Sequence, residues 1–451
     1  MYKVKKYYII LCVRHKHKET HWSVQAKKKT AAGRALEHFD DFYKSLTTSA
    51  LNIRKLFKLQ REYLDEQEHK LKQNTDENVT LEIEDNRFVN VATTEHLLET
   101  DVRITNNLEE KNANIRKFSV EASLKAAKID ASRIINPGIT DLSSALYEFV
   151  PATQIKGGRE GWIPEAQHYK YYENTSEYAV SIEQEHHLHF PKHLDVYCYE
   201  KSNHTPFDSP QKCVTNVLNY YLLDGGSLLP VLALGLQPGD RFLDLCAAPG
   251  GKTIIALQTL YPNVIMCNDC ETSRVKRIHN VLRQYLYDLD EKWFSTGRLK
   301  VLQEDARFLS LQNLDKILVD VPCTNDRLSV RENENNWFKS SRTKERIQLP
   351  EVQAQILSNA LKMVRVGGTV VYSTCSLSPI QNDGIVNMAL KQIWEETDIK
   401  IIVKDLSPAL EETKCVYKFA DKNLLRFGHL VVPYLPQNYG PMYFCKLQRA
   451  C

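Results

Sequence analysis

The chain has 451 residues, of which 43 % are hydrophobic and 25 % are charged. This length is enough for two or three domains, and the composition is that of an ordinary globular protein. The formal net charge of +3 is only a weak indication of an anionic partner, although such an average can hide a locally basic face. No run of 18 apolar residues is present, so the sequence predicts no membrane-spanning helix.

The 11 cysteines are scattered along the chain without the spacing of a small disulfide-linked domain. We therefore expect free thiols in a reducing compartment. The single C-x-x-C runs from Cys267 to Cys270, and no second ligand pair follows it. The sequence therefore predicts no metal site.

The first 22 residues form a basic leader with no acidic residue before Glu19. A secretory signal is disfavoured because the apolar core YYIILCV is short and no small-x-small cleavage site follows it. An acid-free basic leader suits import into mitochondria, although this one is poor in Ser and Arg. We expect residues 1–22 to act as a transit peptide for the mitochondrial matrix, with a plain basic tail as the alternative.

Residues 23–215 are interpreted as an N-terminal extension, α-rich, that contacts RNA or a protein partner. Behind a lysine cluster at 27–29, apolar residues recur three or four apart, as in a helix: Leu36, Phe39, Phe42 and Leu46. The insert 61–118 is rich in Glu, Asp, Asn and Lys, which is typical of charged helix surface or loop. Residues 140–215 carry scattered aromatic and histidine residues with short strand-like pieces.

The pattern changes at about residue 216, and residues 216–451 are predicted to form a second domain. Strand-like runs alternate there with helix-length segments, which predicts a Rossmann-like α/β fold with a doubly wound, mostly parallel sheet. The predicted strands are RFLDL, VIMCND, LKVLQED, KILVDV and TVVYST. Helices are expected near 271–289, 350–364 and 380–395. The lead-in YYLLDGG begins as a helix in this interpretation, and PMYFCKLQ is predicted as a late antiparallel strand at the sheet edge.

RFLDLCAAPGGKT, residues 241–253, contains the sharpest motif of the chain. A strand leads into the turn Pro249-Gly250-Gly251, whose glycines let the backbone approach a ligand closely. The helix that follows from Ile254 offers free N–H groups to an anion or a carboxylate, and Lys252 adds a positive charge. This arrangement predicts a ligand site at the turn.

The motif lacks the residues of two common nucleotide-binding sites, which narrows the class of ligand that this turn can bind. A P-loop is excluded because Cys246 stands where its first glycine is required, and the G-x-G-x-x-G of dinucleotide sites is absent. Asp269 ends the second strand, where an acid suits ribose hydroxyls, and Asp305 follows the third strand, where it would meet an adenine amino group. This set suits S-adenosylmethionine. The alternative is a turn with purely structural glycines.

Two other strands each deliver a cysteine at their carboxyl end. ILVDVPCTNDR carries Asp320 and Cys323, and VVYSTCSLSP carries Cys375. Because ligands bind at the carboxyl ends of the strands in an open parallel sheet, we expect both thiols at one site beside the cofactor. For either cysteine alone, burial as a small hydrophobic residue is an equal alternative.

A thiol beside a methyl donor suggests an acceptor that needs covalent activation. Carbon 5 of a pyrimidine is a poor nucleophile until a thiolate adds to carbon 6. Asp320 is a candidate to protonate ring nitrogen 3, provided that burial raises its pKa. A base must then remove the carbon 5 proton so that the thiol can leave, and the second cysteine is a candidate to assist.

DLCAAPGGKT, DVPCTNDR and YSTCSLSPIQN resemble the cofactor, Pro-Cys and Thr-Cys motifs of the Sun-domain RNA cytosine carbon-5 methyltransferases. The resemblance covers roughly residues 216–447. The segments LLDGGSLLPVLALGLQPGDRFLDLC and WSVQAKKKTAAGRALEHFDDFY resemble the mitochondrial member of that family, which methylates small-subunit ribosomal RNA and partners a mitochondrial termination-factor-like protein. The resemblance implies S-adenosylmethionine-dependent formation of 5-methylcytosine through a Cys–RNA adduct, and a role in assembly of the small ribosomal subunit.

The same resemblance implies roles for single residues. Cys375 is implied as the nucleophile, Cys323 as the group that assists release of the methylated RNA, and Asp320 as a residue serving both cofactor and base. The implied cofactor-binding residues are Ala248, Pro249, Gly250, Gly251, Lys252, Asp269, Arg274, Asp305 and Asp320. The final strand PMYFCKL departs from the family pattern because it lacks a glycine-phenylalanine start.

RNA is expected to present the target cytosine single-stranded or flipped, because a stacked base is unreachable. The loop after Cys323 supplies basic candidates that would steer the RNA backbone: Arg327, Arg331, Lys339, Arg342, Lys344 and Arg346. Trp337 and Phe338 are candidates for stacking on bases. The alternative is a solvated loop around a buried Trp.

A second hypothesis is a non-catalytic ribosome-assembly scaffold that keeps the methyltransferase fold. Loss of Cys375, Asp320 or the glycine turn would indicate it, and all three are present. A methyltransferase acting on a small molecule or a protein would not need two strand-end thiols.

Overall fold

The computed structural model of the protein describes residues 9–12, 51–79, 154–157, 161–164, 178, 180–199, 207–213, 215–331, 336–434 and 439–451. The chain divides into two compact units, one of Met1–Leu64 with Leu146–Cys451 and one of Asp65–Ala145. In the second unit the described part is helical, from residue 65 to residue 79. The predicted insert 61–118 therefore begins as helix. The helical pattern at 36–46 and the lysine cluster lie outside the described residues.

The strands, in chain order, are β1 Ile9–Cys12, β2 Leu51–Asn52, β3 Gln154–Gly157, β4 Gly161–Pro164, β5 Ser181–Gln184, β6 Asp195–Cys198, β7 Tyr220–Leu223, β8 Arg241–Asp244, β9 Val264–Asn268, β10 Leu299–Leu302, β11 Leu314–Asp320, β12 Val364–Thr374, β13 Ile401–Asp405, β14 His429–Val431 and β15 Met442–Arg449. The α-helices are α1 Ile53–Val79, α2 Leu228–Ala233, α3 Gly251–Gln258, α4 Thr272–Tyr285, α5 Asp326–Arg331, α6 Thr343–Met363, α7 Ile385–Glu396 and α8 Ser407–Leu410. Short 3₁₀ segments occur at Gly225–Ser227, Ser340–Arg342, Glu411–Cys415 and Lys422–Leu424, and π segments at Leu289–Phe294 and Ile380–Gly384.

The main sheet has nine strands in the order β10-β9-β8-β11-β12-β15-β13-β5, with β14 paired to β15. Strands β8 to β12 are mutually parallel, and β15 runs antiparallel to both of its neighbours, β12 and β13. This is the Rossmann-like, mostly parallel sheet that the alternation of strands and helices predicts. The predicted strands of this sheet are all present.

The last strand differs from its prediction in one respect. It is antiparallel as expected, but β15 lies inside the sheet between β12 and β13, and β5 forms the edge. The edge position was therefore wrong. The physical reason is burial: residues 442–447 of β15 are all buried, as is typical of a strand covered on both faces.

A second sheet has the order β2-β6-β1-β7 and is antiparallel throughout. Tyr220–Leu223, which the lead-in predicts as helix, is strand β7 here and pairs with β1 along Ile9–Cys12. The partner lies more than 200 residues away in the sequence, so the local pattern cannot reveal it. Strand β1 falls within the predicted leader. The targeting role of the leader and the boundary at residue 216 stay predictions.

Helices cover both faces of the main sheet, as a doubly wound fold requires. Along β11, Leu318 joins the apolar cluster that contains residues of α3 and α4, whereas Ile317 and Val319 join the cluster that contains residues of α6 and α7. These residues alternate between the two clusters because successive side chains of a strand point to opposite faces of the sheet. The loops at the carboxyl ends of β8 to β12 therefore converge on one edge of the sheet. No helix within the described ranges is long and apolar enough to cross a membrane.

Candidate active site

The glycine turn connects β8 to α3 at the carboxyl edge of the sheet. Gly250 caps the helix with a φ of 112°, a left-handed conformation that favours glycine. A Cβ atom on Gly251 would lie 3.0 Å from the Oη atom of Tyr221, so a side chain there would require Tyr221 to shift by a few tenths of an ångström. The helix begins at Gly251, three residues earlier than predicted. The turn is thus built for close approach of the backbone.

Asp269 follows β9 and lies against the glycine turn. Its carboxylate is 4 % exposed and accepts hydrogen bonds from Arg274 Nε at 2.9 and 3.0 Å and from the Ala248 N–H at 3.3 Å. Burial lowers the pKa of Arg274, but the Asp269 carboxylate outweighs it, so the pKa is raised. The structure therefore brings together three of the predicted cofactor residues.

Asp305 follows β10, the next parallel strand along the same edge. Arg307 Nη2 donates to Asp305 Oδ2 at 2.6 Å, and hydrogen bonding to Arg307 lowers the pKa of the Asp305 carboxyl. Asp305 is therefore an ionised acceptor at neutral pH, at the position predicted for contact with a base.

Asp244, the last residue of β8, is a site residue that the sequence analysis missed. Its Oδ2 atom accepts from the Thr253 hydroxyl at 2.6 Å, and its buried Oδ1 atom has no hydrogen-bond partner within the described part of the chain. Burial raises the pKa of Asp244 to about 7. Its position in the sequence could have identified Asp244, because it is the first of the acidic residues found at the ends of consecutive strands.

These residues fit S-adenosylmethionine. Three carboxylates end or follow the adjacent strands β8, β9 and β10: Asp244, Asp269 and Asp305. These carboxylates offer hydrogen-bond acceptors for an amino group, ribose hydroxyls and an adenine amino group. The Asp244 Oδ1 atom, which has no hydrogen-bond partner within the described part of the chain, is free to accept a hydrogen bond from a ligand. The N-terminus of α3 offers donors for a carboxylate.

The two predicted thiols lie together at the ends of β11 and β12. The Sγ atoms of Cys323 and Cys375 are 3.1 Å apart, and the Cys375 N–H donates to Cys323 Sγ at 3.4 Å. The register explains the contact, because Asp320 of β11 is paired with Ser373 of β12. Cys323 lies three residues beyond Asp320, and Cys375 lies two residues beyond Ser373.

The Cys375 thiol holds its proton strongly in the resting site. Its hydrogen bond with Cys323, its burial and the nearby Asp320 carboxylate raise the pKa of Cys375, and the Lys252 ammonium opposes them. A thiolate is the reactive form of cysteine. Chemistry at Cys375 therefore requires that its proton be removed.

Lys252 and Asp320 form an ion pair beside the thiols. Lys252 Nζ donates to Asp320 Oδ2 at 2.7 Å, and the Ser373 hydroxyl donates to Asp320 Oδ1 at 2.8 Å. Burial lowers the pKa of Lys252, but Asp320 outweighs it and the pKa is raised, so the ammonium stays charged. Lys252 thus extends from the glycine turn into the thiol site.

The thiols and the ion pair line one cavity of about 270 Å³. Its opposite wall includes Asp224, Arg327 and the segment 440–442. Arg327 Nη1 donates to Asp224 Oδ2 at 3.0 Å and to the Gly440 carbonyl at 3.1 Å. Arg327, predicted to steer RNA, therefore contacts the wall of the cavity, and Asp224 is a second residue that the sequence analysis missed.

The remaining basic candidates have different environments. Arg346 is 3 % exposed and donates to the carbonyls of Trp337 at 2.6 Å and Lys339 at 3.0 Å, so it supports the loop internally. The Arg342 guanidinium lies 3.7 Å from the centroid of the half-buried Trp337 ring. Lys344 is exposed. The side chain of Arg331 lies outside the described residues.

Comparison with known proteins finds similarity to RNA cytosine methyltransferases. The family described as 16S rRNA methyltransferase RsmB/F matches residues 231–448. The "5-cytosine rRNA methyltransferase nsun-4" of Caenorhabditis elegans is 41 % identical over 271 residues, which cover 59 % of this chain and 57 % of that protein. The "5-cytosine rRNA methyltransferase NSUN4" of Mus musculus is 43 % identical over 263 residues, which cover 57 % of this chain and 67 % of that protein.

A further relative, the "tRNA (cytosine(34)-C(5))-methyltransferase, mitochondrial" of Mus musculus, is 33 % identical over 58 % of this chain and 72 % of its own length. This chain spans less than two thirds of the nematode relative. The solved structure titled "The crystal structure of NSun6 from Pyrococcus horikoshii with SFG" aligns with a TM-score of 0.40 at 22 % identity, over 52 % of this chain and 54 % of that one.

Proposed function

We propose that this chain, which belongs to the RsmB/F family of 16S rRNA methyltransferases, methylates carbon 5 of cytosine in RNA with S-adenosylmethionine as the methyl donor. The observation that carries the proposal is the pair of thiols, with Sγ atoms 3.1 Å apart, next to the Lys252–Asp320 ion pair. An oxygen or nitrogen acceptor needs no covalent activation, whereas carbon 5 of cytosine does.

Cys375 acts as the nucleophile in this proposal. Its thiolate adds to carbon 6 of the flipped cytosine, which makes carbon 5 nucleophilic. The proton that Cys375 carries at rest must first be lost to solvent water, and the neighbouring Lys252 ammonium favours the thiolate electrostatically.

Asp320 orients the base. It lies in the same cavity as both thiols, and its two oxygens are held by Lys252 and the Ser373 hydroxyl. We assign Asp320 to the ring nitrogen 3 edge of the cytosine, where a hydrogen bond favours addition at carbon 6. The Lys252 ammonium, whose Nζ atom lies 2.7 Å from Asp320 Oδ2, holds this carboxyl group in position.

Cys323 assists the release of the product. After methylation, the carbon 5 proton must leave before the Cys375–carbon 6 bond can break. Cys323 Sγ lies within 3.1 Å of Cys375 Sγ and is therefore placed to take part in this elimination. Substitution of Cys323 should then trap the adduct instead of preventing it.

The cofactor is assigned to the residues of the glycine turn and the strand ends: Ala248, Pro249, Gly250, Gly251, Lys252, Asp269, Arg274, Asp305 and Asp320. When bound, S-adenosylmethionine supplies the methyl group as a sulfonium electrophile. Asp269 is held in place by Arg274 and the Ala248 N–H, so the pocket is organised in advance.

The substrate that we propose is small-subunit ribosomal RNA of mitochondria, modified in the matrix during assembly of the ribosomal subunit. Support comes from two relatives whose names specify rRNA cytosine methylation and from one whose name specifies mitochondria. The basic leader of residues 1–22, which has no acidic residue before Glu19, is consistent with a transit peptide. A net charge of +3 gives little electrostatic attraction to RNA, so we further propose that a bound partner or the assembling ribosome helps the enzyme to find its substrate. The resemblance to the mitochondrial family member implies that this partner is a mitochondrial termination-factor-like protein.

Covalent trapping on RNA tests the activity. The wild type, Cys323→Ala and Cys375→Ala are incubated with S-adenosylmethionine and small-subunit ribosomal RNA, with and without the partner, and a denaturing gel is read for an adduct. We expect Cys323→Ala to accumulate an adduct and Cys375→Ala to give neither adduct nor methylation. Cys213→Ala, at a half-buried cysteine that does not line the cavity, is the matched control.

The opposite adduct pattern would identify Cys323 as the nucleophile. Absence of any adduct or methylation, with S-adenosylmethionine still bound, would favour a non-catalytic assembly scaffold that keeps the fold.

A further inference from the structure

A buried polar cluster lies behind the two thiols, and no step of the proposed reaction uses it. It joins the loop that follows Cys323 to the loop that follows Cys375. At its centre is Asp326, the first residue of α5, which is 4 % exposed. The two loops come from different strands, so contacts between them determine how the thiols face each other.

The Asp326 carboxylate is bonded to both loops at once. Its Oδ2 atom accepts from the Leu377 N–H at 2.7 Å, and its two oxygens lie 3.3 and 3.2 Å from the Ser376 hydroxyl. The Thr324 hydroxyl, directly after Cys323, donates to its Oδ1 atom. Within the described part of the chain, no lysine or arginine forms an ion pair with Asp326. Its buried charge therefore depends on these neutral donors.

Neighbouring side chains also link the loop that follows Cys323 to the loop that follows Cys375. Gln381 Oε1 accepts from the Thr324 N–H at 3.1 Å, and Gln381 Nε2 lies 3.1 Å from the Thr324 hydroxyl. The Thr324 and Ser376 hydroxyls are themselves 2.9 Å apart. The residue after each cysteine is thus fixed to the residue after the other. A shift of one loop requires that several buried hydrogen bonds break together.

We propose that Asp326 is a positioning residue that holds the Cys323 and Cys375 sulfurs in contact, an inference that rests on the proposed thiol chemistry. Asp326 hydrogen-bonds neither sulfur, so it acts through Thr324, Ser376 and Leu377. Its effect is geometric: a displacement of about 1 Å in a reacting group can lower a rate by about 100-fold. An isosteric change that removes the anion should therefore loosen the thiol pair.

Phenylarsine oxide measures the spacing of the thiols without RNA or cofactor. One arsenic atom forms two As–S bonds, and its oxygen leaves as water with the two thiol protons. Tight binding therefore needs both sulfurs within reach of one atom. The full-length chain is used, with Asp326→Asn as the test variant and Cys323→Ala as a variant that lacks the pair.

We expect Asp326→Asn to bind phenylarsine oxide at least about tenfold more weakly than the wild type. Its kcat for RNA methylation should fall about 100-fold, while the KM for RNA stays within about twofold. Asp240→Asn is the matched control. Asp240 is also a buried carboxylate that accepts a backbone N–H, from Gln237 at 2.7 Å, but it precedes β8 at the opposite edge of the sheet. Both measurements should be unchanged in this control.

Ser376→Ala is a milder variant for the case that Asp326→Asn does not fold. It removes one donor to Asp326 and keeps the carboxylate, and we expect about threefold weaker arsenical binding. The inference is overturned if either folded variant binds phenylarsine oxide as tightly as the wild type and keeps its kcat. If the wild type does not methylate RNA but the variants keep the expected order of arsenical binding, the proposed function fails and the positioning role stands.

Discussion

The Nζ atom of Lys252 lies 2.7 Å from the Oδ2 atom of Asp320, and this contact joins the glycine turn to the strand that leads to Cys323. The Lys252 side chain is 11 % exposed, so the pair is largely shielded from water. The cofactor turn and the thiol site are therefore electrostatically coupled. A change in the charge of one partner should be measurable at the Cys375 sulfur.

Lys252→Met tests this coupling. Because the Lys252 ammonium opposes the rise in the pKa of Cys375, its removal should raise that pKa further and reduce the thiolate fraction. We expect Cys375 to react with iodoacetamide about tenfold more slowly at neutral pH, followed by peptide mass spectrometry. Lys292→Met, which breaks a 2.9 Å ion pair with Asp288 outside the cavity, should leave the rate unchanged. Equal rates in both variants would show that Lys252 does not act on the thiol.

The pH dependence of alkylation at Cys375 should reflect its hydrogen bond with Cys323. A thiol with a raised pKa is protonated at neutral pH, so its alkylation rate should rise about tenfold for each pH unit above neutrality. The hydrogen bond with Cys323 is the largest cause of the raised pKa. Cys323→Ala should therefore lower the pKa and shift the profile of Cys375 toward lower pH. A shift toward higher pH would contradict this cause.

Gly250→Ala should weaken cofactor binding more than it weakens the fold. Gly250 has a φ of 112° and Gly367 a φ of 76°, so alanine at either position costs about 1 kcal/mol of stability. Only Gly250 belongs to the turn at the proposed cofactor site. We expect Gly250→Ala to bind S-adenosylhomocysteine at least about tenfold more weakly by calorimetry, with Gly367→Ala near the wild-type affinity. Equal affinity in both variants would place the cofactor elsewhere.

His429 should make the fold sensitive to acid. Burial, with repulsion from Lys422, lowers its pKa from 6.5 to about 3, although Asp405 opposes the shift. Unfolding therefore takes up a proton below about pH 6.5, and the contribution of His429 to stability is lost as the pH falls toward 3. At about pH 5 the loss should be roughly 2 kcal/mol. His429→Gln should show a shallower fall in the free energy of unfolding between about pH 7 and 5, measured by urea titration. Parallel profiles would show that the folded protein protonates His429 readily.

The sequence by itself predicted which residues form the candidate site, because such motifs consist of residue types at short spacings. The turn Pro249-Gly250-Gly251 and the acids that end consecutive strands predicted a ligand site, and Cys323 and Cys375 predicted a thiol pair. The alternation of strands and helices predicted the parallel sheet, because the hydrophobic periodicity of each strand or helix can be recognised within a short segment of sequence.

Only the tertiary structure decided which residues meet across long separations. Tyr220–Leu223 is a strand because it pairs with Ile9–Cys12, and β15 lies inside the sheet between β12 and β13, where residues 442–447 are buried. Asp224, Asp244 and Asp326 were not recognised, since an aspartate beside a motif looks the same whether it is solvated or buried. Burial and hydrogen-bond partners distinguish these cases, and both arise from contacts between segments that the local sequence pattern does not specify.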